Sequence, residues 1–507
     1  KAHNIVSHYI LKFTNSGEIV LDPFQGSGIV IIESLKNQRK AIGVDINPIS
    51  CLLTKTTIKT IDLLILEKEY KKIFNDAFLN YSKYYEIKCS KCNNKAMMLN
   101  AIWKEDTFSL VKGECISCGT FIRKVNKDDV KVYNNAVFEL DSLDKKKFFY
   151  PKNNILQYVK RSGKHTIDEL FTDRALLILG NIHHKILEIQ DSDIKDMLLL
   201  CFSSMLSSVS KMIPGNENTV TGRSGWVVSK LWVPKIHTEK NIFKTFNDRL
   251  KKTLKGKADL YLDIKNAQIY NQSSEKLKFI KSNSVDYVFT DPPYGQSIAY
   301  LGLSMFWNSW LQKKINYDEE IIFDPYREKK YEDYEKRMTK VFCEIYRVLK
   351  PNKFCSFTFH NRDIKIWKAV MNACENAGLK LHNIEYQRQA VKSGTQGLNR
   401  KNTLYGDFVY NFQKIDEMNY SKLRNISTNQ LKKIIIRYVS ILIKNNNNLL
   451  TSDRLYELII PQIVKRQYYK LDADKVLQLD DFLLIYFDYI EKKIGEKYVY
   501  GWSLKLI

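Results

Sequence analysis

The sequence has no apolar run long enough to cross a lipid bilayer, and it has few cysteines for its length. The longest apolar stretch, residues 434–443, is interrupted by Arg437 and is shorter than the roughly 20 residues that a spanning helix needs. Nine cysteines among 507 residues do not make a disulfide framework, and no secretory signal is recognisable. These absences argue against an integral membrane protein and a disulfide-stabilised secreted domain. They predict a folded protein of the reducing cytoplasm.

Acidic residues are also scarce relative to basic ones. The chain has 80 Lys and Arg against 56 Asp and Glu, which gives a formal net charge of +24 and a pI near 9.3. Such an excess favours a polyanionic partner, above all nucleic acid. The alternative is that a lysine-rich composition follows from an AT-rich genome. With 44% apolar and 12% aromatic residues, the chain has enough core for two to four globular domains.

The order of the predicted elements indicates an α/β domain that is interrupted once. A short apolar strand, "IVLD", leads into a glycine loop and a helix, and "AIGVDINP" follows as a second strand. This is how a parallel sheet begins. The sheet pattern resumes only near residue 266, so we predict a large insertion between the two halves. The predicted units are 1–54, an insertion at 55–265, the second half at 266–415 and a basic helical appendix at 416–507.

The glycine loop after the first strand is suited to binding a nucleoside. Gly26 and Gly28 allow a sharp turn and a close approach of backbone to ligand. Asp45, at the end of the second strand, can accept both hydroxyls of a ribose. The loop lacks a third glycine for a dinucleotide and the Gly-Lys-Ser/Thr of a triphosphate site. Asp22, before the loop, could hold a ligand's ammonium group directly or through water. The alternative is that Asp22 and Asp45 only cap the sheet.

A second motif ends another predicted strand. The run "VDYVFT" is followed by Asp291, Pro292, Pro293 and Tyr294. The two prolines cannot continue a ladder because neither has an N–H group. Taken alone, this motif could be no more than a turn.

Together, "LDPFQGSG", "GVDINP" and "TDPPYG" resemble the amino-group DNA methyltransferases, which use S-adenosylmethionine and carry a D/N/S-P-P-Y/F/W motif. The resemblance implies an α/β fold with a Rossmann-like class I methyltransferase sheet. It implies catalytic roles for Asp291, Pro292, Pro293 and Tyr294. The implied cofactor-binding residues are Asp22, Pro23, Phe24, Gly26, Ser27, Gly28, Asp45, Asn47 and Gln272.

Physical chemistry supports this motif as a catalytic one. The exocyclic amine of adenine or cytosine is a poor nucleophile, and positive charge develops on its nitrogen as a methyl group transfers. The Asp291 carboxylate and the Pro292 carbonyl could accept both N–H hydrogens and stabilise that charge. The Tyr294 ring offers a face on which an extruded base could stack.

Further segments resemble one branch of this family, the adenine-specific DNA methylases with a zinc ribbon. They include "YLGLSMFWNSWL", "RVLKPNKFCSFTFHN" and "SGTQGLNRKNTLYGDF". Aspartate in the first motif position is commoner among adenine-N6 enzymes, so the resemblance favours adenine. One departure is that the third strand, residues 267–274, follows the insertion. Where the family usually offers an acid to the cofactor's adenine, this chain has Asn271 and Gln272.

Two cysteine pairs have the spacing of a structural zinc site. Cys89 and Cys92 precede Cys115 and Cys118 by 22 intervening residues, which is typical of two knuckles that close a tetrahedral shell. We predict a zinc ribbon over about 86–122 that stabilises the insertion; a disulfide or free thiols are the alternative. The remaining cysteines, at positions 51, 201, 343, 355 and 374, are predicted to be core residues. His183 and His184 are predicted to lie on a solvated helix face.

Basic residues mark two candidate DNA-binding segments, and in the first of them aromatic residues lie among the basic ones. One is the glycine-containing segment with Arg223, Trp226 and Lys230, and the other contains Lys392 and Arg400. An ordinary exposed loop is the alternative for the first. The C-terminal region could bind DNA, pair two subunits into a homodimer, or do both.

The sequence hypothesis is therefore an S-adenosylmethionine-dependent methyltransferase that acts on the N6 amino group of a flipped adenine in double-stranded DNA. By resemblance alone, it would serve a restriction-modification system or mark a genome. No nuclease carboxylate cluster is recognisable, so a restriction endonuclease would be a separate chain. The rivals are a cytosine-N4 or RNA methyltransferase, and a zinc-ribbon DNA-binding protein with an inactive enzyme domain.

Overall fold

Helices and strands alternate at the start of the chain, the middle adds a second, antiparallel group of strands, and the C-terminal part consists of helices followed by two strands. The computed structural model describes residues 2–144, 148–161, 163–222, 230–260, 262–295, 298–359, 361, 363–388, 406–415, 426–471, 474–494 and 497–505. The helices are α1 His3–Phe13, α2 Ile29–Lys36, α3 Pro48–Ile58, α4 Leu63–Tyr81, α5 Lys127–Ser142, α6 Asp173–Leu187, α7 Ser192–Val209, α8 Ile242–Ala258, α9 Tyr300–Trp310, α10 Tyr331–Val348, α11 Ile364–Asn376, α12 Thr428–Lys444, α13 Ser452–Lys465, α14 Asp474–Leu477 and α15 Leu479–Tyr486. The strands are β1 Ile19–Asp22, β2 Lys40–Asp45, β3 Glu86–Lys88, β4 Lys95–Lys104, β5 Thr107–Cys115, β6 Gly119–Lys124, β7 Gly215–Asn216, β8 Thr221–Gly222, β9 Ile236–Lys240, β10 Ala267–Asn271, β11 Val285–Thr290, β12 Leu349–Phe359, β13 Leu379–Arg388, β14 Gly406–Lys414, β15 Phe487–Ile494 and β16 Lys497–Leu504. Within these ranges, no helix has the length and apolar character to cross a membrane.

The central sheet has seven strands in the order β10-β2-β1-β11-β12-β14-β13. The first five are parallel, and β14 pairs antiparallel with both β12 and β13. The predicted α/β class is confirmed. The third strand of the sheet, β10, does return after the insertion, as the sequence predicts.

The position of β1 and β11 in the sheet follows from their composition. Every residue of β11 is buried, as expected of a near-continuous apolar strand that is covered on both faces. β1 has β2 on one side and β11 on the other, so the connection after β1 runs towards β2 and the connection after β11 runs towards β12, in opposite directions across the sheet. Open α/β sheets bind ligands at such a switch point, outside the carboxyl ends of the strands. We call the side where β1, β2, β10 and β11 end the carboxyl edge.

The insertion folds around its own antiparallel sheet. β3, β4, β5 and β6 are neighbours in that order, and β9 pairs with β4. The strands of the predicted ribbon segment, β3 to β6, cover 86–124. At the start of the insertion, α3 continues to Ile58, so the predicted boundary at residue 54 falls inside a helix.

A buried ion pair joins the helices and strands of the insertion. Arg174 and Glu239 are each 1% exposed, and Arg174 donates to the two Glu239 carboxylate oxygens at 2.9 and 2.8 Å. The Trp103 indole donates to the same carboxylate at 2.9 Å. Burial alone would raise the pKa of Glu239, but the Arg174 charge and these hydrogen bonds hold that pKa below its usual value.

Helix α9 connects the insertion to the central sheet. Trp310 is fully buried, and its ring contacts Phe171, Phe202 and His183 at centroid distances of 5.6, 5.5 and 6.1 Å. The prediction of a solvated face for His183 is therefore wrong. His183 is 1% exposed, and burial lowers its pKa to about 4. His184, next to it, lies beside Glu188 at the surface.

The C-terminal region shares a core with the second half of the sheet and is not a separate unit. Apolar residues of α12 and α13 pack in the same buried cluster as those of α10, α11 and β12. The region is helical only to Tyr486, and β15 and β16 form a hairpin after it, so the prediction of an entirely helical appendix is wrong. Cys343 is exposed, which corrects its prediction as a core residue.

Replacing Arg174 by Met should destabilise the insertion, because the Glu239 carboxylate would stay buried without its counter-ion. We expect a loss of about 3–5 kcal/mol in the free energy of unfolding, measured by urea and thermal denaturation. The control is Lys95→Met, which removes an ion pair to Glu86 whose side chains are 87% and 39% exposed and should cost no more than about 1 kcal/mol. Equal effects of the two changes would contradict this account of the ion pair.

Candidate active site

The two motif loops lie side by side at the carboxyl edge. β1 and β11 are parallel neighbours, with Val20 opposite Tyr287 and Leu21 opposite Val288. Beyond these pairs, the Thr290 hydroxyl donates to Asp22 Oδ1 at 2.6 Å. The glycine loop begins after Asp22 and the D-P-P-Y loop begins after Thr290, so both loops open on the same side of the sheet.

The glycine loop folds back on the end of β2. The Gly26 N–H donates to Asp45 Oδ2 at 2.9 Å. Gly26 and Gly28 have φ angles of +52° and +79°, which side chains rarely adopt. A Cβ on Gly28 would come within 2.5 Å of Thr54, whereas one on Gly26 would meet nothing within 4 Å. Gly28 is therefore needed for packing, and Gly26 faces open space.

Asp45 is the central acceptor of this part of the site. Its second oxygen accepts the Asn47 N–H at 2.8 Å. Burial raises the pKa of Asp45 to about 6, against the opposing effect of the two N–H groups. An ionised carboxylate has about four acceptor sites, so two remain for a ligand. The residue as a whole is partly exposed.

The residues at and just after the end of β10 form hydrogen bonds to the end of β2 and to the start of the glycine loop. The Gln272 N–H and the Asn271 amide both donate to the Asp45 carbonyl, at 3.0 and 2.9 Å. The Ser274 hydroxyl donates to the Pro23 carbonyl. Gln272 Nε2 is buried and has no hydrogen-bond partner in the described part of the chain. The structure thus brings Gln272 next to Asp45, and a role of both residues in one cofactor pocket stays a prediction.

Asp22 and the loop residues after it have different exposures. The Asp22 side chain is fully buried, and its Oδ1 also accepts the Phe24 N–H at 3.1 Å. A contact between Asp22 and a ligand would therefore be indirect in this arrangement. Phe24 is half-buried and Ser27 is exposed.

The D-P-P-Y loop presents two acceptor oxygens. Asp291 is partly exposed, and its Oδ1 accepts hydrogen bonds from Tyr294 at 2.6 Å and from Thr358 at 2.8 Å. The Pro293 carbonyl accepts the Tyr334 hydroxyl at 2.5 Å. Within the described ranges, no donor is bonded to Asp291 Oδ2 or to the Pro292 carbonyl.

Tyr294 is held in place by both of its ends. Its carbonyl accepts the Asn361 amide at 2.9 Å, and its ring lies 5.3 Å from that of Phe359. Burial and the neighbouring Asp291 charge hold the pKa of Tyr294 far above its usual value, so its hydroxyl stays a donor. The hydroxyl fixes the Asp291 carboxylate, a role that the sequence motif does not reveal.

Sequence reasoning missed several of these supporting residues. Thr358 lies on β12, Tyr334 on α10, and neither belongs to a motif. Thr290 pairs with Phe357 in the β11–β12 register, so the neighbouring strand could have pointed to Thr358 once the strand order was known. His360, the residue that follows β12 in the chain, lies outside the described residues.

The four predicted cysteines form one cluster in the insertion. The sulfur atoms of Cys89, Cys92, Cys115 and Cys118 all lie within 4.8 Å of one another, and none of the four is in a disulfide. Each pair is followed by a residue with a left-handed backbone, Asn93 at φ +60° and Gly119 at φ +71°. Two matching turns with four thiols fit the donor set of a tetrahedral metal site.

Most of the predicted DNA-binding residues fall in parts of the chain that the structure does not describe. Arg223, Trp226, Lys392 and Arg400 lie outside the described residues. Lys230 is described, and its ammonium group donates to the Tyr158 carbonyl. The segment with Lys392 and Arg400 connects β13 to β14, whose ends pair at Arg388 and Gly406.

Known proteins match the two halves of the sheet. The family model for N6/N4 DNA methylases matches residues 1–56 and 285–453. Type II methyltransferase M.MjaII of Methanocaldococcus jannaschii is 23% identical over 326 residues, which are 58% of this chain and 57% of that protein. Type II methyltransferase M.MvaI of Kocuria varians is 23% identical over 311 residues, 59% of this chain and 52% of that protein. The chain thus spans just over half the length of these relatives.

Among solved structures, TTHA0409 of Thermus thermophilus covers 32% of this chain and 56% of its own at 14% identity, with a TM-score of only 0.18. The fold is that of an α/β protein with two motif loops at a topological switch point of its sheet. The family match falls on those same two loops. These matches support membership of the N6/N4 amino-group DNA methyltransferase family.

Proposed function

We propose that this chain transfers a methyl group from S-adenosylmethionine to the N6 amino group of an adenine in double-stranded DNA. The observation that carries the proposal is the pair of acceptors, Asp291 Oδ2 and the Pro292 carbonyl, beside the glycine loop. The Thr290–Asp22 hydrogen bond of 2.6 Å ties the ends of the two strands that bear these loops. An amine at one loop and a methyl donor at the other would be neighbours.

The acceptor pair would act on the charge of the reacting amine. Two oxygens that accept the two N–H hydrogens stabilise the positive charge that grows on nitrogen. Pro292 fixes the direction of its carbonyl, and Thr358 and Tyr294 hold Asp291 by its other oxygen. The carboxylate therefore needs little reorganisation during the reaction, which is how fixed dipoles lower a barrier.

The cofactor, when bound, would supply an electrophilic methyl group on a sulfonium. Asp45 would accept hydrogen bonds from the ribose hydroxyls, and the glycine loop would pass over the nucleoside at Gly26. Gln272 can both donate and accept through its amide, which matches the hydrogen-bonding edge of an adenine. Its buried, unpartnered Nε2 supports this role. The sheet order, with β14 antiparallel between β12 and β13, supports a class I methyltransferase fold.

DNA would approach the carboxyl edge, and the target base would leave the duplex to reach Asp291. Tyr294 would lie against that base, where stacking contributes roughly 1–3 kcal/mol. The net charge of +24 favours a duplex partner. We assign recognition of the sequence to the insertion, because it packs directly on α9, the helix that follows the D-P-P-Y loop.

We also propose that the four cysteines hold a structural Zn²⁺. Four thiolates complete a tetrahedral shell and leave no open position for catalysis. The ion would tie the end of β3 to the end of β5 in the insertion.

We also propose a role in restriction-modification, which rests on the similarity to the type II relatives. Any partner nuclease would be a separate chain.

Replacing Asp291 by Asn should lower the methylation rate by about 10²–10³, because an amide cannot stabilise the developing charge as a carboxylate does. Labelled methyl transfer to duplex DNA measures the rate, and mass analysis of the nucleosides identifies the product. Asp141→Asn, an exposed change on α5, should leave the rate unchanged.

The product distinguishes the candidate bases. N6-methyladenine supports the proposal, and N4-methylcytosine as the sole product would overturn the assignment of the base. Full activity of the Asp291→Asn variant would overturn the role of the carboxylate. A wild-type chain that binds DNA but does not bind S-adenosylmethionine would refute the methyltransferase proposal and support a DNA-binding protein without enzyme activity.

Cofactor affinity should fall as the pH drops through about 6, because the pKa of Asp45 is raised from 3.8 to about 6 and the protonated carboxyl accepts hydroxyls poorly. The ionised fraction, and with it the affinity for S-adenosylhomocysteine, should fall roughly tenfold from pH 7 to pH 5. Calorimetry measures this affinity. The Asp45→Asn variant should bind S-adenosylhomocysteine weakly, with an affinity that does not change between pH 5 and pH 7. Wild-type affinity and wild-type pH dependence in this variant would contradict the role of Asp45.

The purified chain should contain about one zinc ion, as expected for a four-cysteine site. Chelation, or Cys92→Ser, should lower the melting temperature of the chain, because metal binding contributes to folding. Cys343→Ser is the matched control, since Cys343 is exposed and outside the cluster. A metal-free chain with an unchanged melting temperature would contradict the site.

A further inference from the structure

Asn308 joins the helix after the D-P-P-Y loop to the cofactor side of the sheet. It lies on α9 and is fully buried. Its amide nitrogen donates to Asn47 Oδ1 at 3.0 Å, to the Ser304 carbonyl at 3.1 Å and to the Ser304 hydroxyl at 3.0 Å. Asn47 is 261 positions away in the chain and follows Asp45 by two residues. The contact therefore connects α9 to the strand end that carries the proposed ribose acceptor.

The Ser304 carbonyl determines which way the Asn308 amide points. A backbone carbonyl can only accept, so Asn308 must present Nδ2 to it and not Oδ1. The same nitrogen reaches Asn47. Asn47 must then present its own oxygen, because two amide nitrogens cannot form a hydrogen bond through their donor hydrogens. The direction of both side-chain amides follows from one backbone group.

This leaves the donor end of Asn47 directed away from α9. The Asn47 N–H contacts the Asp45 carboxylate at 2.8 Å, and Asn47 is partly exposed. Among the described residues, no acceptor is bonded to Asn47 Nδ2. An available donor therefore lies next to the carboxylate that would accept hydrogen bonds from the proposed nucleoside.

We infer that Asn308 is a positioning residue: it fixes the Asn47 side-chain amide so that Asn47 Nδ2 donates to an acceptor atom of the cofactor's nucleoside. The inference rests on the proposed function. Asn308 itself does not touch the ligand. Its effect on cofactor binding passes through Asn47, which distinguishes it from a residue that only stabilises the fold.

Calorimetric titration of the full chain with S-adenosylhomocysteine tests the inference. Asn308→Ala releases the Asn47 amide, and we expect roughly tenfold weaker binding from a misoriented hydrogen bond. Ser309→Ala is the matched control: it changes a half-buried serine of the same helix that is not among the Asn308 contacts, so its affinity should equal that of the wild type. Melting temperatures without ligand report on folding.

A double-mutant cycle separates positioning from general stabilisation. If Asn308 acts through Asn47, adding Asn308→Ala to Asn47→Ala should weaken binding no further. If the two losses multiply, or if Asn308→Ala binds as tightly as the wild type, the inference is overturned. Asn47→Asp keeps an acceptor for Asn308 but has no donor for the cofactor, so this variant should also bind weakly. It tests the inference even if Asn308→Ala does not fold. Wild-type affinity of Asn47→Asp would contradict the inference.

Failure of the proposed function gives a different result. A wild-type chain that does not bind S-adenosylhomocysteine at all refutes cofactor use and, with it, this inference. Wild-type binding without any effect at Asn308 refutes the inference alone.

Discussion

The parallel pairing of β1 with β11 is the constraint on which the site depends. This pairing brings a loop from residue 23 onward next to a loop from residue 291 onward, and the Thr290–Asp22 hydrogen bond keeps the two strand ends in register. Residues 46–284 lie between β2 and β11. The two loops can be neighbours only if this long segment ends close to the place where it leaves the sheet. It does return: the Lys257 ammonium group on α8 donates to the Thr57 carbonyl at 2.8 Å, at the end of α3. The insertion thus leaves and re-enters the sheet at one place.

Helix α9 gives the insertion a direct connection to the site. It follows the D-P-P-Y loop, and its apolar residues, including Trp310, belong to the core of the insertion. Asn308 on the same helix contacts Asn47. Under the proposed function, a displacement of the insertion by DNA would act on a helix that borders both the target base and the cofactor. This arrangement explains physically how so long an insertion can serve the chemistry of a sheet that it interrupts.

Local patterns predicted the sheet and its loops, because strand runs, prolines and glycines act within a few residues of themselves. The burial of His183 was not predictable in this way: α6 is packed on several faces, so its polar positions are covered by other elements. The prediction that Cys343 is a core residue is wrong for the opposite reason. Helix α10 buries only a narrow stripe of residues, which includes Val341 and Phe342 but not Cys343. The C-terminal hairpin was missed because its alternating residues follow a long helical stretch. The partners of Asn308 and Asp291 depend on strand order, which no local pattern contains.

A structure of the full chain with S-adenosylhomocysteine and a duplex containing its recognition sequence tests the central claim most directly. The account predicts an extruded base whose amino nitrogen lies about 3 Å from both Asp291 Oδ2 and the Pro292 carbonyl, with the ribose of the cofactor on Asp45 and the sulfur facing the amine. A base bound away from Asp291, or a cofactor bound away from the glycine loop, would contradict it.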